Sequence, residues 1–328
     1  MLVMVECHTF NALLAPSYRT MNWFSVLNWL NGLVAPAFLL VSGAVMGLNL
    51  QSRWDDVVHF RSAWRKLWRR IGQVFAVAYL LHFPGPILWQ FATPRASQLL
   101  AVWTKVDILQ CIAASLAIIL LLVPLTRTAQ FHRIVCLVLG IAAVLSTQPV
   151  ARWAPATSIP RWLLNYLWPA DVGMFPLVPW SAYVFLGVWL GPALFFRQTK
   201  GMQTFRALLM AAIFIAASEF MPSFQTYDAP FVFSRMGWVI VALAACCWLG
   251  EPMRGALWLL QFGQLSLWSY TVHLLIVYTV LNSLLGPRFS PPSVILFMTG
   301  VLAVTGFVVR WRAKSLQRQA ALRMMPAT

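Results

Sequence analysis

Ten stretches of the chain are nearly free of charge, and most approach the length of a membrane helix. They run roughly over 1–15, 31–50, 71–91, 106–125, 134–149, 176–196, 207–220, 234–250, 262–285 and 293–311. A helix needs about 20 apolar residues to cross a bilayer. The pattern therefore predicts an all-α, polytopic transmembrane helix bundle of about ten helices, forming one domain over residues 1–328. The first stretch is short. At about 1.5 Å per residue, Met1 to Leu14 reaches only about 21 Å, so the first helix is expected to begin upstream of Met1. It does not read as a cleavable signal, because it lacks a basic start and contains Glu6 and His8.

Composition agrees with the pattern. Hydrophobic residues make up 60% of the chain and charged residues only 10%, against about 25% charged in soluble domains. The 17 Trp and 22 Phe suit the two membrane interfaces. The net charge of +16 would point to nucleic acid in a soluble chain. Here the basic residues sit in short tracts between apolar runs, as in loops that face anionic lipid, so no nucleic-acid partner is expected. Alternate loops and the C-terminal tail hold 17 Lys and Arg, against 7 in the opposite set. The richer set is cytoplasmic by the positive-inside rule, which puts both termini inside. On the other side, 150–175 is rich in Pro and Trp, including Trp153, Pro155, Pro160, Trp162, Trp168 and Pro169. Cys7, Cys111, Cys136, Cys246 and Cys247 all lie in apolar runs with no zinc-like spacing. They read as small hydrophobes, and no metal is expected.

Polar side chains inside apolar runs are candidates for function, because lipid cannot solvate them. In the first run His8 and Asn11 are three apart and share a helical face. His8 is either a general base or nucleophile or a structural histidine bonded to a neighbouring helix. In the ninth run Ser266, Tyr270 and His273 form one stripe, which either contacts a substrate or joins helices through hydrogen bonds. Asp107 and Gln110 share a face at the start of the fourth run. Asp107 either orients an imidazole or occupies a helix N-terminus favoured by the dipole. Trp64, Arg65, Lys66, Trp68, Arg69 and Arg70 form a basic aromatic tract. It reads as an ordinary cytoplasmic loop or as a clamp for phosphates. His82, Asp171 and Glu219 read as interfacial.

At these residues the chain resembles the heparan-α-glucosaminide N-acetyltransferase-like family of membrane acyltransferases, especially its bacterial members. The resemblance rests on Met4 through His8 followed by Asn11, on Gly32 to Gly43 with Ala35-Pro36 inside it, and on Asp107-Ile108-Leu109-Gln110. It continues with Phe175-Pro176-Leu177-Val178-Pro179-Trp180 and with Ser266 to His273, in that order along the chain. Two features depart from the family. An Arg-Gly pair before the first helix is absent, and Cys111 stands where an Arg often follows Leu-Gln.

The resemblance implies transfer of an acyl group, acetyl in the family, from cytoplasmic acetyl-CoA to a sugar or glycan acceptor at the outer face of a bacterial inner membrane. It places the family's essential histidine at His8; His273, which could polarise the thioester carbonyl, and Asp107 are the further catalytic candidates read from the residues. Asn11, Gln110, Ser266 and Tyr270 would then bind substrate, and Arg65, Lys66, Arg69 and Arg70 would hold the coenzyme A phosphates. The two imidazoles are expected within about 15 Å, one to two helix diameters. Besides the bilayer and the acceptor, a homo-oligomer is an open expectation. The rival reading is a secondary transporter of a small polar solute. Transporters often carry paired helix breaks in two repeated halves, and no matching Gly or Pro breaks are visible here. A third reading is a lipid- or glycan-export partner without chemistry. Reporters fused at the C-terminus and within 150–175 test the topology: the first should report cytoplasm and the second the opposite side.

Overall fold

The computed structural model describes residues 1–83, 100, 103–152, 160–167, 174–195, 199–222, 228–249 and 257–324. Residues 84–91 of the third apolar run, and Trp153, Pro155, Trp168, Pro169 and Asp171, lie outside the described residues. The described elements are helical in every run. In chain order they are α1 (Leu2–Leu13), α2 (Asn22–Asn31), α3 (Val34–Ser52), α4 (Trp54–Val58) and α5 (Ser62–Leu81). Next come α6 (Ile108–Leu121), α7 (Ala129–Leu145), α8 (Thr147–Arg152), α9 (Arg161–Leu167) and α10 (Leu177–Phe195). The series ends with α11 (Lys200–Phe220), α12 (Ala229–Leu249), α13 (Leu257–Gln264), α14 (Ser266–Leu274) and α15 (Pro291–Met324). Among the described residues six spans are long and apolar enough to cross a membrane, and α13 with α14 and its continuation to Asn282 counts as a seventh if the bent pair is one span. With the shorter α1 and α7 and the more polar α5 (20 residues), each of the ten runs is helical.

The ninth run departs from the regular helix expected of it. It breaks at Leu265 and turns through 89°. Beyond Leu274 it continues as a π-helix over Leu275–Asn282. No proline lies in this run to announce either feature.

The chain gathers into two compact units, residues 1–34 with 249–328, and residues 35–248. In the first unit Val5, Phe10, Leu13 and Leu14 of α1 and its end pack with Phe24, Val277, Val294 and Val301. The C-terminal end of α1 is closed in two ways. Phe289 N–H donates to the Leu13 carbonyl, and Ala15 N–H donates to the Phe289 carbonyl, both at 3.0 Å. Arg19 Nη2 donates to the carbonyls of Asn11 at 2.9 Å and Leu14 at 3.0 Å. A cation there satisfies carbonyls that have no partner within the helix and complements the helix dipole.

In the second unit α10 is the centre. From Pro179 to Val188 every residue is buried, as expected of a helix that is apolar all round. By contrast α11 leaves Phe205, Leu208, Ile213 and Phe220 exposed, a surface for lipid. Against α10 lies α3, and the two meet through glycine. A Cβ on Gly43 would overlap the Val184 carbonyl, and one on Gly47 the Val188 carbonyl. Reciprocally, a Cβ on Gly187 would overlap the Leu40 carbonyl, and one on Gly191 would sit 2.5 Å from the Ala44 carbonyl. Two Gly-x-x-x-Gly faces thus interlock, and both contact series ascend in sequence, so the helices run parallel. In lipid, such close backbone approach replaces the missing hydrophobic drive.

Gly43→Val and Gly187→Leu should each destabilise the protein by more than the roughly 1–3 kcal/mol of ordinary overpacking, because the obstacle is backbone. Gly201→Ala, at a helical position open to space, should stay within about 1 kcal/mol of the parent. Denaturation midpoints in detergent decide between them.

Candidate functional site

The first unit brings His8 and His273 into contact. His8 Nδ1 lies 2.9 Å from His273 Nε2, and the rings meet edge to edge with centroids 5.1 Å apart and planes within 13° of parallel, well inside the expected 15 Å. His273 is fully buried. Its Nδ1 lies 2.6 Å from the Ser269 carbonyl. A carbonyl only accepts, so Nδ1 carries the proton and donates. In the neutral ring Nε2 is then a lone pair, which accepts from His8 Nδ1–H. That leaves His8 Nε2 as the one ring lone pair of the two imidazoles not engaged within the pair. The tautomers follow from this chain of donors and acceptors.

The wiring changes one expectation. A neutral His273 whose N–H is committed to Ser269 has none to offer a thioester carbonyl, so a polarising role does not fit it. It holds the His8 ring instead. Asn11 does not: its side chain is exposed and its Nδ2 lies 3.5 Å from Cys7 Sγ.

Two tyrosines frame His8. Tyr270, buried, stands edge-on to it at 6.4 Å and to His273 at 5.5 Å. Tyr278 stands 5.6 Å from His8. The sequence hid Tyr278, since five residues past His273 is about 140° away around an α-helix. The π-helix bonds i to i+5, which turns that spacing back toward one face. Ser266, the other member of the predicted stripe, begins α14 just past the break and is half-buried.

Asp107 and Gln110 belong to the second unit, where they meet each other and His82. Asp107 is the N-cap of α6, its Oδ1 accepting from Ile108 N–H at 2.7 Å. Gln110 Oε1 accepts from Asp107 N–H at 3.2 Å, completing a capping box. The other carboxylate oxygen lies 3.6 Å from His82 Nε2, and His82 Nδ1 lies 3.0 Å from the Ala78 carbonyl. Gln110 is buried and its Nε2 also donates to Ala78, at 3.2 Å. Asp107 thus caps a helix, and its second carboxylate oxygen faces the imidazole of His82. No spacing links residues 82 and 107, and the pair was missed.

Arg65, Lys66, Arg69 and Arg70 lie exposed on α5. Trp64 there stands edge-on to Trp68, their ring centroids 5.9 Å apart.

Asp107→Ala should cost about 1 kcal/mol as a lost cap, while Asp107→Asn keeps most of the cap. Chemical denaturation of the two variants separates capping from the contact with His82.

The heparan-alpha-glucosaminide N-acetyltransferase catalytic family profile matches residues 1–218. That span includes His8, Asp107 and the interlocked glycines and ends before His273. No curated protein and no solved structure matches the chain. By that match the chain belongs to the heparan-alpha-glucosaminide N-acetyltransferase catalytic family, as a multi-pass membrane acyltransferase.

Proposed function

We propose that this protein transfers an acetyl group from cytoplasmic acetyl-CoA to a sugar or glycan acceptor at the outer face of a bacterial inner membrane, with both termini in the cytoplasm. Family membership supports acyl transfer. The 17 to 7 distribution of basic residues supports the orientation. The observation that carries the chemistry is the bond from His8 to His273, which presents His8 Nε2 as a base.

In this reading His8 Nε2 takes the proton of the acceptor hydroxyl or amine as that atom attacks the thioester carbonyl. The carbon–sulfur bond breaks, and the imidazolium returns the proton to the departing thiolate. His273 stabilises the charged ring by accepting its Nδ1–H throughout, much as a carboxylate does in a hydrolase triad. Tyr270 and Tyr278 shield the pair. Ser266 and Asn11, in the same unit as the pair, remain candidates for holding substrate.

A transporter reading draws on one feature, the broken span at Leu265, because discontinuous helices bind solutes in many carriers. The two differ in product. Membranes given labelled acetyl-CoA should yield labelled glycan on the opposite side, whereas a carrier would move solute unmodified.

His8→Ala should lower acetyl transfer by about 10²–10⁴-fold, the range for a lost acid–base group, in protein that still inserts and elutes as the parent does. His273→Ala should lose less and His273→Gln, which keeps an acceptor, less again. A loss below about tenfold for His8→Ala would make it a packing residue.

A further inference from the structure

The broken span faces a set of polar atoms that nothing in the fold uses. Gln261 Oε1 on α13, and Thr305 Oγ1 and Arg312 Nε on α15, are buried without a hydrogen-bond partner. An unpaired buried polar atom is costly, and the cost rises where water is absent. Three of them on facing helices call for a common partner.

Their positions are tied together by packing. Gly306, beside Thr305, faces the ring of Phe262, beside Gln261, with a Cβ on the glycine 3.5 Å from that ring. The Arg312 guanidinium lies 5.2 Å over the ring of Trp268, three residues past the break. Thr305 and Arg312 are seven residues apart, so they share one face of α15 about 10 Å apart. His273 lies five residues beyond Trp268, or about 7–8 Å. Since α14 and α15 run in opposite directions, Thr305 stands near the depth of His273.

Thr305 is the least expected of the three. Thr9, Thr271 and Thr299, the other helical threonines of this unit with described hydroxyl bonds, each donate to the carbonyl four residues back, at 2.7–2.9 Å. Thr305, fully buried, does not. Arg312 is also unmatched by an acid. Glu6 is the only carboxylate side chain among the described residues of this unit, and it accepts from Asn31 at 3.3 Å.

We propose that the broken helix and α15 form the site for the phosphopantetheine arm of the acyl donor. The chemistry matches group by group. A phosphate meets Arg312, an amide N–H meets Gln261 Oε1, and an amide carbonyl meets the Thr305 hydroxyl. The thioester end then arrives at the level of the His8–His273 pair. Because Arg310, Lys314 and Arg318 continue the basic end of α15, the rest of the donor stays in a cationic field. This site rests on the acetyl-CoA reading and relocates the donor's phosphate contact from the α5 tract to α15.

The test uses the full chain, purified into phosphatidylcholine nanodiscs and titrated with phosphopantetheine by calorimetry. Saturable binding is expected. Arg312→Gln should weaken it by about tenfold or more, the value of a charged hydrogen bond, and Thr305→Val and Gln261→Leu by about fivefold each. Thr305→Val is nearly isosteric, and gel filtration verifies that each variant is folded. Variants that bind as the parent does, or weakening by Arg65→Gln and Arg69→Gln instead, would overturn the site. So would loss of the probe when phosphatidylglycerol replaces about a third of the lipid, since Arg312 would then hold a lipid phosphate. Intact phosphopantetheine binding without any acetyl transfer would overturn the proposed function and leave the site standing. Transfer with no effect of the three variants on binding would do the reverse.

Discussion

A hydrocarbon interior offers no hydrogen bonds, so each polar atom carried into it must find a partner within the protein. That constraint accounts for more of this molecule than any single contact. It puts backbone into helices, requires the short α1 to be closed by Arg19 and Phe289, and requires Asp107 to cap α6. It also removes the ordinary driving force between helices, since lipid is as apolar as leucine. Close contact has to replace it. The interlock of Gly43 and Gly47 with Gly187 and Gly191 brings backbones near enough for dispersion, which fades within an ångström of extra separation.

The same constraint gives the histidine pair its order. Two hydrogen-bonded imidazoles in water would exchange tautomers freely. Beside the Ser269 carbonyl, one arrangement pairs each inward nitrogen and leaves a single lone pair unused. Chemistry is directed here by the scarcity of partners. Where a partner is missing, as at Thr305 Oγ1 and Arg312 Nε, the same scarcity leaves a polar atom uncompensated.

The sequence carried the gross architecture well. Length and apolarity of each run determine a helix almost alone, because lipid tolerates nothing else, and all ten runs hold one. It also marked His8, His273, Asp107 and Gln110 by the cost of burying them. What it hid were relations across space. His82 and Asp107 face each other 25 positions apart in sequence, with no periodicity to connect them. The two glycine faces are visible as motifs, but nothing in either says that the other is its partner. Ser269 contributes through its carbonyl, an atom that every residue has. The break at Leu265 and the π-helix lack the proline that usually announces such distortions.

The π-helix has a consequence for how such chains diverge. A π turn is in effect an α-helix holding one surplus residue. Deleting one residue between Leu274 and Ser283 would let the segment relax into a regular helix. The residues beyond would keep their register, and only those inside the segment, Tyr278 among them, would change how they face His8. An indel that is disruptive in most helices would here act as a discrete adjustment, exchanging one wall of the imidazole cage while the packing of α14 before it stays in register. Single-residue length variation at this one point therefore offers a route to altering what approaches the histidines without rebuilding the bundle around them.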